Sequence, residues 1–171
     1  MITLFCAERE RFPDSENFIR YVFSERYALT GIILEKTPNG KPYITNTSYE
    51  ISLSHTKTHY FLAVSALPVG VDAEQLERNT DYAPILKKFT KKERDGVQNQ
   101  RDFLSLWTAK ESVIKLLGGT LSRDLRKTVC DLTAKSATFG NTPVYLETVF
   151  PVGHVVTLSA ESPFSVEVIL L

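Results

Sequence analysis

The sequence of 171 residues lacks an excess of charge of either sign, because 20 basic residues balance 20 acidic ones. General nucleic-acid binders are usually strongly basic, so we expect no nucleic-acid partner, and any phosphate contact must come from local charge placement. Long apolar runs are also missing: no stretch approaches the roughly 18 residues of a membrane span. Charged residues follow the N-terminus too soon for a signal peptide. These absences predict a cytoplasmic protein that does not enter a membrane.

Cysteine is scarce, and several familiar motifs are absent. Cys6 and Cys130 lie far apart without a CxxC pattern, so we expect two reduced, buried thiols. There is no P-loop, no protein-kinase motif and no GxGxxG, which lowers the expectation of another type of phosphotransferase. His55 and His59 have i, i+4 spacing, but their segment is not helical and lacks the glutamate of HExxH. A zinc site is therefore not expected.

Hydrophobic periodicity and turn residues predict an α+β chain. The expected strands lie at residues 2–7, 51–55, 59–66 and 69–74, and several short strands follow residue 128. The expected helices lie at residues 15–28 and 101–117, with shorter ones beginning near Pro84 and, by a capping box, at Thr90. This order is compatible with two similar lobes, each built around a small antiparallel sheet.

Two carboxylates stand out on the expected strand that contains GVDAE, residues 70–74. Asp72 and Glu74 are two positions apart, so they project from the same face of a strand. Converging carboxylates repel each other, and Mg²⁺, which prefers oxygen ligands, would relieve that repulsion. The alternative is a strand end that turns polar as it leaves the core, and this pair alone favours the alternative.

A second group of polar residues lies on the expected long helix, in WTAKESVIK at residues 107–115. Trp107, Glu111 and Lys115 are spaced i, i+4, i+8, so they lie close to one helix face. Glu111 could complete a Mg²⁺ site with the two strand carboxylates, and Lys115 could reach a bound phosphate. Taken alone, the pattern favours a surface Glu–Lys pair with Trp107 in the core.

Two shorter motifs lie upstream. GKP at residues 40–42 places Lys41 in a stiff turn, where it could contact a phosphate. SHT at residues 54–56 places His55 at a strand end. The alternative for Lys41 is a solvated loop lysine, and a lone histidine such as His55 is more often structural than catalytic.

In chain order, GKP, SHT, GVDAE and WTAKESVIK resemble the successive motifs of Sfp-type 4′-phosphopantetheinyl transferases. FTKKE at residues 89–93 resembles the family's segment between the metal strand and the long helix, and the resemblance runs from about residue 37 to about residue 121. The GVDxE and WxxKES…K motifs are its most specific part. The resemblance implies the α+β fold of that family, with two pseudo-symmetric lobes that each contain a small antiparallel sheet and a helix. In this chain the lobes would be residues 1–67 and 68–171, with the active site between them.

The resemblance also implies an activity. Family members use Mg²⁺ and transfer the 4′-phosphopantetheine of coenzyme A to a serine of an apo-acyl or peptidyl carrier protein, releasing 3′,5′-ADP. The matching metal-binding carboxylates would be Asp72, Glu74 and Glu111, and the catalytic residues would be Glu111 and Lys115. The matching coenzyme A contacts would be Lys41, Pro42, Ser54, His55, Asp72 and Lys115. Trp107 and Lys110 match positions expected to serve packing and support.

Two further expectations concern partners. The chain is expected to act as a monomer, and the alternative to an enzyme is an inactive module that binds coenzyme A or a carrier protein. Carrier proteins are typically acidic around the modified serine, so the docking face should be apolar with a basic rim. The candidate residues flank the long helix and are Phe89, Lys91, Lys92, Leu116 and Leu117.

The N-terminus departs from longer members of the family. Those members carry a basic segment and a helix before the first motif, and both contact the nucleotide. Here about a dozen residues precede the helix expected at residues 15–28. Arg9, Arg11 or Arg26 could take over that contact.

Overall fold

The computed structural model describes all 171 residues and contains eleven strands and five α-helices. The strands are β1 (Ile2–Glu8), β2 (Leu34–Lys36), β3 (Pro42–Ile44), β4 (Glu50–His55), β5 (His59–Ser65), β6 (Gly70–Gln75), β7 (Thr128–Asp131), β8 (Ser136–Phe139), β9 (Thr142–Val149), β10 (His154–Ala160) and β11 (Val166–Leu170). The helices are α1 (Ser15–Tyr27), α2 (Ala83–Leu86), α3 (Lys91–Asp95), α4 (Gln100–Leu116) and α5 (Leu121–Asp124).

Two sheets form the centre of the molecule. The first has strand order β11-β1-β5-β4 and the second β6-β10-β9-β8-β7, while β2 and β3 form a separate hairpin. All pairs are antiparallel except β1 with β11, which is parallel. The structure confirms the small antiparallel sheets with helices that the sequence predicts. This arrangement is typical of the 4′-phosphopantetheinyl transferase fold.

Successive side chains of a strand point to opposite faces of its sheet, and this alternation determines which neighbouring layer each residue contacts. In β1, Leu4 and Cys6 point toward the second sheet and pack with Val71 and Leu158, whereas Phe5 points the other way, toward α1. On the far side of the second sheet, α4 packs its apolar face on β7, β8, β9 and β10. The layers are therefore α1, first sheet, second sheet and α4, so that each sheet has one long helix on its outer face.

A glycine lets α4 approach strand β6 closely. A Cβ atom on Gly70 would lie 2.0 Å from the Ser112 carbonyl oxygen and 2.9 Å from the Leu116 amide nitrogen. No side chain fits that space, so the strand can lie directly against the helix backbone only with glycine at this position. This contact brings the next residues of β6 beside the face of α4 that carries Glu111 and Lys115.

Serine hydroxyls join the two sheets at the edge strands β4 and β6. The Val71 amide donates to Ser52 Oγ at 3.1 Å, and the Ala73 amide donates to Ser54 Oγ at 3.2 Å. These bonds satisfy edge amides of β6 that no neighbouring strand pairs with. The seam between the sheets therefore runs beside the candidate site.

The expected elements largely appear where the sequence patterns place them. The long helices expected at residues 15–28 and 101–117 end within one residue of α1 and α4. The capping box at Thr90 is confirmed, as are the two free, buried cysteines. None of the helices is both long and apolar enough to cross a bilayer.

The structure contains four elements that the patterns did not predict. They are β2, β3, β8 and α5, each three or four residues long. The last strand, β11, lies in the first sheet beside β1, although it belongs to residues 68–171. The division of the chain at residues 67 and 68 stays a prediction.

Replacing Val152 with asparagine is expected to stabilise the protein by about 1 kcal/mol. Val152 has φ 45° and ψ 43° in the turn before β10, and Gly153 follows with φ 75°. A β-branched residue is strained in this left-handed region, whereas Asn-Gly is favoured in such a turn. Urea denaturation of Val152→Asn would measure the gain. Val129→Asn is the control, since Val129 is also exposed but extended in β7, and an equal gain there would contradict the strain argument.

Candidate active site between the two sheets

Side chains from three separate motifs meet where β4, β6 and α4 come together. Ser54 Oγ donates to Asp72 Oδ1 at 2.9 Å, and Lys115 Nζ donates to the same oxygen at 2.6 Å. Lys115 Nζ also lies 3.3 Å from Ser54 Oγ. Asp72 is 5% exposed, so its charge is compensated by these two partners rather than by water. The structure thus brings together Ser54, Asp72 and Lys115, three residues that the sequence assigned to one site.

Glu74 follows Asp72 on the same face of β6, as the alternation predicted. It pairs with Arg78 at 2.5 Å, just beyond the end of the strand. Arg78 was not predicted as a site residue, although an acid and a base four positions apart are visible in the sequence. Arg78 is half exposed, so its pairing with Glu74 can exchange with solvent.

Glu111 is the most perturbed acid of the site. Its pKa is raised to about 8, first by burial and then by the nearby carboxylates of Asp72 and Glu74, while the ammonium of Lys115 acts in the opposite direction. The three carboxylates therefore influence one another electrostatically across the gap between β6 and α4. Such an arrangement binds protons or cations readily.

The donor set fits Mg²⁺ in chemistry, because it consists of hard carboxylate oxygens whose repulsion a cation would relieve. In the side-chain positions of the structure, no three His, Cys, Asp or Glu residues are close enough together to hold a metal ion. Lys115 binds Asp72 and Arg78 binds Glu74 instead. The assignment of Asp72, Glu74 and Glu111 to a metal stays a prediction, and it requires both basic side chains to move aside.

The loop of residues 37–42 closes one end of the site. Lys41 Nζ donates to the Val69 carbonyl oxygen at 3.1 Å, and Asn39 Nδ2 donates to the Gly118 carbonyl oxygen at 2.9 Å. Burial lowers the pKa of Lys41, and the ammonium of Lys115 adds to this effect. Between this loop, β4 and the end of α4 lies a pocket of about 420 Å³ that both lysines line. An anion in this pocket would meet two ammonium groups.

His55 stands at the exposed end of β4, on the rim of two other pockets. One pocket, of about 430 Å³, also contains Pro42 and residues of α1. The other, of about 870 Å³, has no hydrophobic lining and contains Arg9, Lys57, Glu74 and Arg78. Lys41 lines the pocket of about 420 Å³ and His55 the other two, and Pro42 lies in a pocket with each of them. Lys41, Pro42 and His55 are thus spread along one rim, whereas Ser54, Asp72 and Lys115 are in direct contact.

Lys110 and Glu93 form a buried ion pair behind the site. Their charged atoms are 2.7 Å apart, and each side chain is 1% exposed. Lys110 also donates to the Thr128 carbonyl oxygen, and Glu93 accepts from the Cys130 amide at 2.8 Å. A buried pair is tolerated only when its remaining hydrogen-bonding groups are satisfied, as they are here. The contacts tie α4 to α3 and β7, which agrees with the supporting role expected for Lys110.

The expected docking face is corrected in part. Phe89 is 3% exposed and Leu116 is 7% exposed, and both pack in the core beneath α4. Their apolar side chains face inward because burial stabilises them more than the surface would. Lys91 and Lys92 are exposed, but they pair with Asp95 and Asp131 at 2.7 and 2.6 Å. Phe89 and Leu116 therefore cannot contact a partner.

Comparison with known proteins identifies the family of the chain. Residues 68–153 match the family model of the 4′-phosphopantetheinyl transferase superfamily, and the chain belongs to that superfamily. The chain is 33% identical over 130 residues to "4′-phosphopantetheinyl transferase psf-1" of Bacillus pumilus, a match that covers 71% of this chain and 55% of that protein. The chain thus spans about half the length of this curated relative. The segment matched by the family model contains Asp72, Glu74, Glu111 and Lys115, but not Lys41 or His55.

The metal-free protein is expected to lose stability as the pH rises from about 5 to about 8. The folded state holds the Glu111 proton up to a pKa of about 8, whereas the unfolded state releases it near the ordinary glutamate pKa of 4.5. The stabilisation that the protonated Glu111 provides is therefore complete below pH 4.5 and is lost as the pH rises past about 8. Melting temperatures in a chelating buffer would show the decline, which should be smaller in Glu111→Gln. An unchanged profile in Glu111→Gln would show that this carboxyl is not the cause.

Proposed function

We propose that the protein transfers the 4′-phosphopantetheine of coenzyme A to a serine of an apo-acyl or peptidyl carrier protein and releases 3′,5′-ADP. The observation that carries the proposal is the contact of Ser54, Asp72 and Lys115 in a chain that belongs to this superfamily. These residues come from three of the motifs that resemble the family, and the fold brings them within hydrogen-bonding distance.

The reaction is the attack of a serine hydroxyl on the β-phosphorus of the pyrophosphate. A new P–O bond forms to the serine, the bond to the bridging oxygen breaks, and 3′,5′-ADP leaves with the bonding electrons. Glu111 would accept the serine proton as the general base. Lys115 is 31% exposed, so its ammonium can leave Asp72 and offset the charge on the leaving phosphate.

Asp72, Glu74 and Glu111 would hold Mg²⁺, which when bound would supply positive charge beside the pyrophosphate oxygens. Lys41 and Lys115 would contact the phosphates from the pocket that they share. Pro42 and His55 would contact coenzyme A along the neighbouring rim. Ser54 is 5% exposed and donates to Asp72, so its main part would be to orient that carboxylate rather than to meet the substrate.

The organisation of the molecule belongs to the same proposal. We place the active site between lobes of residues 1–67 and 68–171, with β11 returning to complete the first sheet. A monomer in the cytoplasm would meet its carrier protein there. The exposed ends of Lys91 and Lys92 remain candidates for the basic rim.

Mass spectrometry of apo-carrier proteins tests the proposal. Apo-acyl and apo-peptidyl carrier proteins are incubated with the protein, Mg²⁺ and coenzyme A. We expect a mass gain of one phosphopantetheine together with the release of 3′,5′-ADP. A carrier whose modified serine is replaced by alanine is the control. Binding of coenzyme A without 3′,5′-ADP release would instead identify an inactive binding module.

A further inference from the structure

A buried histidine connects the second sheet to the turn that carries His55. His154 is the first residue of β10 and is 2% exposed, with its ring 4.9 Å from the His59 ring and 5.0 Å from the Phe61 ring. His154 Nδ1 lies 2.7 Å from the Val152 carbonyl oxygen, and Nε2 lies 3.0 Å from Thr56 Oγ1. A carbonyl oxygen can only accept, so the hydrogen is assigned to Nδ1, and Nε2 accepts from the Thr56 hydroxyl.

Thr56 forms several of the hydrogen bonds that stabilise the turn between β4 and β5. Its hydroxyl oxygen accepts the His59 amide at 3.2 Å, and its carbonyl oxygen accepts Arg9 Nη1 at 2.9 Å. Both of these partners belong to the first-sheet side of the molecule. The bond from His154 reaches the same residue from the second sheet, so Thr56 is held from both sides.

We infer that His154 is a positioning residue for His55, acting through Thr56. His55 immediately precedes Thr56, while the strand of His154 pairs with β6, where His154 lies opposite Gln75, the residue after Glu74. Beside the bonds of Ser54 to Asp72 and Ala73, the bond between His154 and Thr56 is therefore a second restraint on the distance from His55 to the carboxylates of β6. This inference rests on the proposed function, in which His55 contacts coenzyme A.

The backbone before β10 supports a specific role for this histidine. Val152, whose carbonyl oxygen accepts from His154, has the left-handed conformation that valine rarely adopts. Such strained residues persist where the surroundings hold them in place. Both ring nitrogens of His154 are hydrogen-bonded, and two aromatic rings pack against it. The orientation of the ring is therefore restricted, as a positioning residue requires.

Substitutions that remove the bond test the inference. Thr56→Val keeps the shape of the side chain, and His154→Phe keeps the ring, but each loses the contact between Thr56 and His154. We expect both variants to bind coenzyme A about tenfold more weakly by isothermal titration calorimetry, and Thr56→Ser to bind normally. Thr58→Val is the matched control, because Thr58 lies in the same turn but bonds to His59 Nδ1 instead. Circular dichroism checks folding, and Thr56→Val decides alone if His154→Phe does not fold.

A double-mutant cycle separates positioning from general structural support. If His154 acts through His55, Thr56→Val should cause no further loss of coenzyme A affinity in a His55→Ala background. An equal loss in both backgrounds, or a normal affinity of Thr56→Val, would overturn the inference while leaving the proposed function intact. Failure of the unaltered protein to bind coenzyme A would overturn the proposed function itself.

Discussion

Asp72→Asn is expected to lower the rate of carrier priming by about 10³-fold while the protein remains folded. Asp72 accepts hydrogen bonds from Ser54 and Lys115, and the amide oxygen of asparagine can accept them too. The negative charge is lost, however, and with it the attraction for Mg²⁺ beside the pyrophosphate. Since the replacement keeps the size of the side chain, little packing is lost at this buried position.

The measurement is the transfer rate at saturating coenzyme A, beside the melting temperature and the Mg²⁺ affinity of the variant. Glu147→Gln is the matched control, because Glu147 also pairs with a lysine, at 2.8 Å from Lys135, but lies on β9 outside the site. The control should retain the parent rate. Full activity of Asp72→Asn with Mg²⁺ would refute the role of this carboxylate.

Lys115→Ala is expected to fold normally and to lose about 10²–10³ of the transfer rate. The side chain is partly exposed and bonds to Asp72 and Ser54, so its removal costs little packing. In the reaction, however, its ammonium would offset charge on the leaving phosphate in a closed cleft. Mg²⁺ binding should be retained, because the deletion frees Asp72 rather than removing a ligand.

Lys115→Arg should recover only part of the rate, since the planar fork of arginine differs from a point ammonium. Lys135→Ala serves as the control, because it deletes a lysine that also forms an ion pair, with Glu147 at 2.8 Å, but lies outside the site. Transfer rates are compared at saturating coenzyme A together with melting temperatures. A Lys115→Ala variant within about twofold of the parent would show that this helix face is structural.

Long periodic patterns and capping residues predicted most of the fold. The helix α4 follows from its apolar spacing and its glycine stop, and α3 follows from the capping box at Thr90. The short strands β2, β3 and β8 span only three or four residues, too few to display a period. The patterns also could not show that β11 joins the first sheet, because partner choice between strands is decided by tertiary packing.

The contact of Ser54, Asp72 and Lys115 was predictable from their motifs, but the pairing of the charged groups was not. Helical spacing suggested that Lys115 would pair with Glu111, yet the structure pairs it with Asp72 on β6. The close contact of α4 with β6 at Gly70 makes that pairing possible. No local sequence pattern predicts such a contact between a helix and a strand. The burial of Phe89 and Leu116 was likewise a matter of packing, since exposed and buried apolar residues next to a helix look alike in sequence.

The parallel pairing of β11 with β1 has a consequence for synthesis of the protein. Ile2 lies beside Val166, and the Leu171 amide donates to the Cys6 carbonyl oxygen, so the first strand receives its neighbour from residues far along the chain. A nascent chain on the ribosome therefore exposes the open edge of β1 until residues 166–170 have emerged. Contacts of such large sequence separation form slowly. Completion of the first sheet must then wait until these residues have been made, and chaperones have an unpaired strand edge to shield in the meantime.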